Sequence, residues 1–395
     1  MSCAGPSAPP PKLSLATVLR AALSGAWSGV PQHHWRILNA LLACRTANLG
    51  GHRYRCQDCG RQHFAPHSCR NRHCPLCQGA AAQEWLAQQQ LALLPVPYFH
   101  VVFTLPHVLN PLIQQNQRTL YNLLFTTVSQ TLLEFGQQRF GVQLGVTTVL
   151  HTWGQNLLDH YHLHCIVTGG GLSPDGSKWV GSSPHYLFPV RALAVVFRGQ
   201  YTAGLQRLHA AGQLHFYGQL QSWAQPQVFQ ALLGQAVQKP WVVYAKQPFA
   251  GPKQVLAYLS RYTHRVALSP ARLLALDGAK GTVTFSWKDY AHGSARKTMT
   301  LALAEFLRRF CLHLLPERFV KIRHFGFLSN RQRRRRLAQA RALFPVLPLL
   351  VLSAGSPDPA PKLPRCCPHC GSTRLKLLEI LAPPTTQPDL PLDSS

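Results

Sequence analysis

The chain has 395 residues, enough for two or three domains, and carries 40 Lys plus Arg against 13 Asp plus Glu, a formal net charge of +27. Charged residues make up 13%, about half the usual share, so carboxylates are depleted more than bases are enriched. This excludes an acidic disordered scaffold, and 29 Arg against 11 Lys favours a polyanionic partner gripped by bidentate phosphate contacts.

Residues 1–12 are Pro-rich and lack the apolar stretch of a signal peptide, and no apolar run reaches the ~20 residues that a bilayer requires. A cytoplasmic, reducing location is expected, so the 12 Cys read as metal ligands or thiols, not disulfides. Residues 13–48 have helical spacing, with Leu15, Val18, Leu19 and Leu23 on one stripe. Residues 50–78 hold five of the 12 cysteines and few large aliphatics, so something other than an apolar core must staple that segment. A helix over 79–95 follows, then a strand at Tyr98–Thr104, a helix over 111–139, and strands at Val146–Leu150 and His160–Val167. Gly169, Gly170 and Gly171 are expected to break the last of these. A helical middle covers 189–236 and Trp241–Lys246 is a short strand. Gly251-Pro252 opens a helix that stops near Ser269-Pro270. Hairpins at 271–300 and a helix at 301–315 complete the domain. The last 45 residues read as linker around one small cysteine cluster. The expected division is a helical segment 1–35, a zinc module 36–92, a catalytic domain 96–325 and a basic, Pro-rich tail 326–395.

Cys56-x2-Cys59 and Cys74-x2-Cys77 are separated by 14 residues, and two such knuckles can present four thiolates to a structural zinc. Cys44, His52, Cys69 and His73 interleave with them and could form a second, Cys2His2 site; the alternative is that they are polar loop residues. Cys367-x2-Cys370 repeats the knuckle but lacks two ligands. Four protein ligands leave no open position, so zinc would fold the module without catalysing.

Along Asp159–Val167 the side chains alternate, so His160, His162 and His164 share one face while Leu163 and Cys165 share the buried one. The outer two imidazoles are too far apart to share an ion easily, so two neighbours are expected to bind it, and His162 and His164, next to the glycine break, are taken as the metal pair. A further ligand must come from another element; His264 is a weak choice. Read alone, a His-x-His row is more often a solvated strand face. Tyr258 and Tyr262 lie four apart on one helix face with Arg261 and Arg265 beside them. A deprotonated phenol can attack phosphorus, and a nearby cation would stabilise the developing charge. Packing in the stripe Val255, Leu259, Tyr262 and Val266 is the alternative for Tyr262.

In this order the motifs resemble the two-tyrosine HUH transposases of the insertion-sequence ninety-one type. HRYRCQDCG and SCRNRHCPLCQG match the zinc module, YFHVVFTLP the first strand, HYHLHCIVTGGGL the His-hydrophobic-His motif, YLSRYTHRVALS the tyrosine helix, and VKIRHFGFLSNRQR the region after it. The resemblance runs from about residue 36 to 335. It implies an α+β fold with a five-stranded antiparallel, palm-like sheet in which the HUH strand is central. It also implies cleavage and joining of single-stranded DNA, at element ends and target, through a 5′-phosphotyrosine, with Mg²⁺ or Mn²⁺ at His162 and His164 and Tyr258 and Tyr262 as nucleophiles. Relatives often have Pro where this chain has Tyr161. Arg331, Arg333, Arg334, Arg335 and Arg336 form a basic run suited to phosphate contact; Phe325 and Phe327 interleave with it, with packing favoured over base stacking. A non-catalytic zinc-ribbon binder of nucleic acid, and a replication initiator or relaxase with the same chemistry, are the competing readings.

Overall fold

The structure is a computed structural model that describes residues 13–25, 30–90, 92–246, 266–289, 292–344 and 366–384. In chain order the first elements are α1 (Leu15–Leu23), α2 (Gln32–Ala43), β1 (Gly51–Cys56), β2 (Gln62–Pro66) and α3 (Pro75–Gln90). Ser14 caps α1, its hydroxyl accepting from the Thr17 N–H at 3.0 Å. Next come β3 (Tyr98–Thr104), α4 (Asn110–Gln115), α5 (Gln117–Phe140), β4 (Gln143–Trp153), β5 (Asp159–Leu172), β6 (Trp179–Gly181), α6 (Val190–Ala210), α7 (Pro226–Val237) and β7 (Val243–Lys246). The remainder are β8 (Leu273–Asp277), β9 (Thr282–Asp289), β10 (Ala295–Ala302), α8 (Leu303–Leu312), β11 (Ile322–Gly326), α9 (Arg333–Ala342) and β12 (Leu375–Leu381).

The main sheet runs β11-β4-β5-β3-β7, with β6 pairing to the end of β5, and every pairing is antiparallel. It thus has six strands where the resemblance implies five, and the histidine strand β5 lies in the middle. The face carrying Phe103, Tyr161, Leu163 and Cys165 packs against α5 and α6 through Phe125 and Phe197, all fully buried. That apolar layer fixes the register, because a slip by one residue would turn the histidines into it. Tyr161 lies on this core face, 0% exposed, and donates to Asp159 Oδ1 at 3.0 Å. The departure from Pro at this position is therefore absorbed by packing.

Strand β5 does not end at the glycines. A Cβ on Gly171 would sit 2.3 Å from the Gln143 carbonyl oxygen, and one on Gly170, whose φ is +117°, 2.3 Å from that of Val180. The triplet permits close backbone approach from β4 and β6 instead of terminating the strand. Gly171→Ala is expected to cost about 2 kcal/mol or more, read as a lowered thermal unfolding midpoint of the whole chain.

A second sheet, β10-β9-β8, packs with α1, α2 and α8 around Val18, Leu19, Leu38, Phe285 and Phe306. A third, β12-β1-β2, corrects the linker reading of the C-terminus: β12 pairs along the whole of β1, from Gly51↔Leu381 to Cys56↔Leu375. The expected helical middle divides into α6 and α7, with the chain turning at Gly212 (φ +63°).

Candidate metal centres and nucleic-acid surface

The central strands bring three imidazoles together. His162 on β5 lies opposite His151 on β4, and His164 lies opposite Val149, the neighbouring same-face position. The ligand nitrogens of His151, His162 and His164 all lie within 4.8 Å of one another. His162 Nδ1 donates to the His160 carbonyl at 2.8 Å, which leaves its Nε2 as a lone pair in the neutral ring. His164 Nδ1 contacts His100 Nε2 at 2.9 Å, and its own Nε2 faces His162 Nε2 at 3.2 Å. Two imidazoles bound cis on one ion at about 2.1 Å would hold their nitrogens ~3.0–3.4 Å apart, so the donor set fits a divalent metal. All three rings are at least nine-tenths buried, and Trp153 stacks on His151 with centroids 4.9 Å apart. His160 stands outside the trio, packed on His107 at 5.5 Å, and burial lowers its pKa.

His151 and His100 are absent from the sequence reading. The strand predicted to stop at Leu150 runs on to Trp153, and only the β4–β5 register reveals that His151 faces His162. Tyr258 and Tyr262, the flanking Arg261 and Arg265, and His264 lie outside the described residues.

Among the described residues eight cysteines form two groups of four, not the predicted ones. Cys44, Cys69, Cys74 and Cys77 converge, with sulfur–sulfur distances of 3.5 Å (Cys44–Cys74), 3.6 Å (Cys44–Cys77) and 3.7 Å (Cys69–Cys77). Cys56 and Cys59 converge with Cys367 and Cys370, at 3.5 Å for Cys56–Cys370 and 3.7 Å for Cys59–Cys367. Four thiolates ~2.3 Å from a zinc form a tetrahedron with edges of ~3.8 Å, whereas a disulfide would bring two sulfurs to ~2.05 Å. Both sets fit zinc. The quartet Cys56, Cys59, Cys74 and Cys77 is therefore corrected: its two halves belong to different centres.

The reason is local. Cys56–Gly60 and Cys367–Gly371 are twin knuckles. In each, the glycine N–H donates back to the first cysteine carbonyl (3.0 and 2.9 Å), and the first cysteine N–H donates to residue i+5 (2.9 and 2.8 Å). Both glycines are left-handed, with φ of +70° and +75°. Cys74 and Cys77 instead sit at the start of α3, where Gln78 follows. The shared CxxCG pentad was the readable signal. The backbone N–H of Cys59 draws the Cys56 thiol down to about 6 and the Cys69 thiol draws that of Cys74 down to about 5, while burial pushes Cys44 up to about 11 and the contact with Cys74 pushes Cys69 up, so each cluster holds both thiolate and thiol members.

The Cys2His2 alternative is also corrected. His67 Nδ1 donates to the Leu49 carbonyl at 3.0 Å, so its Nε2 accepts from His52 Nδ1 at 3.1 Å. His73 Nε2 accepts from the Leu315 N–H at 3.3 Å, tying the module to the turn after α8. Neither ring joins the cysteines.

A family model described as "Putative transposase" matches residues 145–336, and one described as "Transposase zinc-binding domain" matches residues 18–105. The chain is 44% identical over 359 residues to "Putative transposase y4qJ" of Sinorhizobium fredii (strain NBRC 101917 / NGR234), covering 87% of this chain and 89% of that one. It is 31% identical over 293 residues to "Transposase for insertion sequence element IS801" of Pseudomonas savastanoi pv. phaseolicola, covering 74% and 69%. No solved structure matches it. The chain belongs to the insertion-sequence ninety-one family of transposases.

The transposase's zinc-binding domain thus contains the first cysteine centre and half of the second; the other half arrives from residues 367–370. DNA is the partner of this class of enzyme, and no helix among the described residues is long and apolar enough to cross a membrane. Within the arginine run, Arg331, Arg334 and Arg335 are exposed. Arg333 donates to Gln89 Oε1 on α3 at 2.8 Å and Arg336 to the Pro174 carbonyl at 3.1 Å, docking α9 on the fold. Phe327 is fully buried and Phe325 packs on the main core, so both are packing residues.

Proposed function

We propose that this transposase nicks and rejoins single-stranded DNA through a 5′-phosphotyrosine, in rolling-circle-like transposition at the bacterial nucleoid. The convergence of His151, His162 and His164 on one buried point supports this reading most directly. Those three imidazoles would hold Mg²⁺ or Mn²⁺, which when bound polarises the scissile phosphate and stabilises the charge that develops on it.

The protein's own residues do the rest. The phenol oxygen of Tyr258 or Tyr262 attacks phosphorus; an O–P bond forms, the P–O3′ bond breaks, and the phenol proton ends on the departing 3′-oxygen. The phosphotyrosine conserves the bond energy, and attack by a second 3′-OH reverses the step and joins strands. Two tyrosines permit two successive transfers. Arg261 and Arg265 beside them would bind the flanking phosphates, and Arg331, Arg334 and Arg335 would hold DNA further away. The His162 tautomer, fixed by the His160 carbonyl, keeps its metal-facing nitrogen unprotonated.

Incubating the protein with single-stranded DNA and Mn²⁺ is expected to give a denaturation-resistant protein–DNA adduct. Tyr258→Phe with Tyr262→Phe is expected to remove it. Persistence of the adduct in the double variant would refute the nucleophile assignment, and absence of any adduct from the wild type would favour a non-catalytic binder.

A further inference from the structure

Two clefts meet on the flank between the zinc-binding domain and the edge strand β11. One, of about 430 Å³, is lined by His33, Arg36, Arg70, Arg72 and Arg318. The other, of about 450 Å³, is lined by Arg118, Asn122, Arg318, Arg323 and Asn330. Arg318 belongs to both, and Glu317 is the one carboxylate among the described residues that line either.

Arg318 and Arg70 are left-handed, with φ of +56° and +51°. A side chain other than glycine costs about 1–2 kcal/mol in that conformation, and such strain concentrates where a group must be aimed. Among the described residues neither guanidinium has a hydrogen-bond or ion-pair partner. Their neighbours are engaged. Arg72 donates to the carbonyls of Phe319 and Pro316, and Arg118 donates to that of Glu317 at 2.6 Å. Phe319, 3% exposed, anchors the same turn in the core. Two arginines from different elements therefore clamp residues 316–319 in a strained turn that projects the Arg318 head outward where the clefts join.

We infer that the joined cleft binds the phosphodiester backbone of a single DNA strand, with Arg318 and Arg70 as its phosphate-contacting residues; this rests on the single-strand chemistry proposed above. Bidentate guanidinium–phosphate contact fits the surplus of arginine. Arg72, His73 and Leu315 form a wall shared with an inner cavity that reaches Trp153, which stacks on His151. Glu317, paired with Arg36 at 3.4 Å and exposed, opposes an incoming phosphate.

Fluorescence anisotropy of the full-length, zinc-loaded protein with labelled oligothymidylate, with no divalent ion added, tests this across a salt series. Arg318→Gly is expected to weaken binding about tenfold and to make the log–log salt slope shallower by about 0.7. Its thermal midpoint should be unchanged or raised, since glycine relieves the strain; a merely structural arginine would lower both together. Glu317→Gln is expected to tighten binding several-fold. Wild-type affinity and slope in both variants would overturn the site, and equal weakening on a duplex of the same length would overturn the single-strand assignment. No adduct forms under these conditions, so failure here is separate from failure of the tyrosine chemistry.

Discussion

His151→Ala is expected to lower the rate of adduct formation at least about 100-fold, corresponding to roughly 2.7 kcal/mol of lost transition-state stabilisation. His151 supplies one of three converging nitrogens and is 3% exposed, so no surface residue can replace it readily. The same variant should weaken Mn²⁺ binding, followed by electron paramagnetic resonance without DNA. That readout separates a ligand from a residue that only contacts substrate. If Mn²⁺ affinity and adduct rate both match the wild type, His151 is not part of the centre. His151 is also packed under Trp153, so the fold of the variant is checked by its unfolding midpoint.

Cys367→Ser is expected to reduce bound zinc from two ions per chain to one, measured by elemental analysis of the purified protein. Zinc–thiolate sites of this kind contribute about 10 kcal/mol or more in small modules. Loss of this one should release β12 from β1 and expose the 51–56 backbone to hydrogen exchange. His52→Ala gives the contrast. It removes the contact to His67 but no thiolate, so both zinc ions should remain. A single zinc in wild-type protein, or two in Cys367→Ser, would refute the pairing of Cys56 and Cys59 with Cys367 and Cys370.

Much of the fold was legible because its signals are local. The β-branched and aromatic run Tyr98–Thr104 forms β3 over those same residues, and the alternation around His162 correctly separates the histidine face from the apolar one. The placement of His162 and His164 side by side on one face follows from the same period-two argument. What escaped depended on register or on distance in sequence. His151 becomes visible only when β4 is laid beside β5, since nothing in VLHTW distinguishes a ligand from a buried histidine. The zinc quartets were misassigned because proximity in sequence was taken for proximity in space. Cys59 is 308 residues from Cys367 yet 3.7 Å from it. The glycine triplet was misread because a glycine that admits a neighbouring backbone looks, in sequence, like one that ends a strand.

The split of one zinc centre across residues 56–59 and 367–370 has a consequence for how the protein is made. A ribosome moving from the N-terminus exposes Cys56 and Cys59 more than 300 residues before their partners are synthesised, and closing so long a loop is entropically costly until the surrounding domains have folded. The first centre can close around its ion early, whereas the second can be completed only once residues 367–370 have been made. A copy terminated before residue 367 would then carry the imidazole trio but only half of the second cysteine centre.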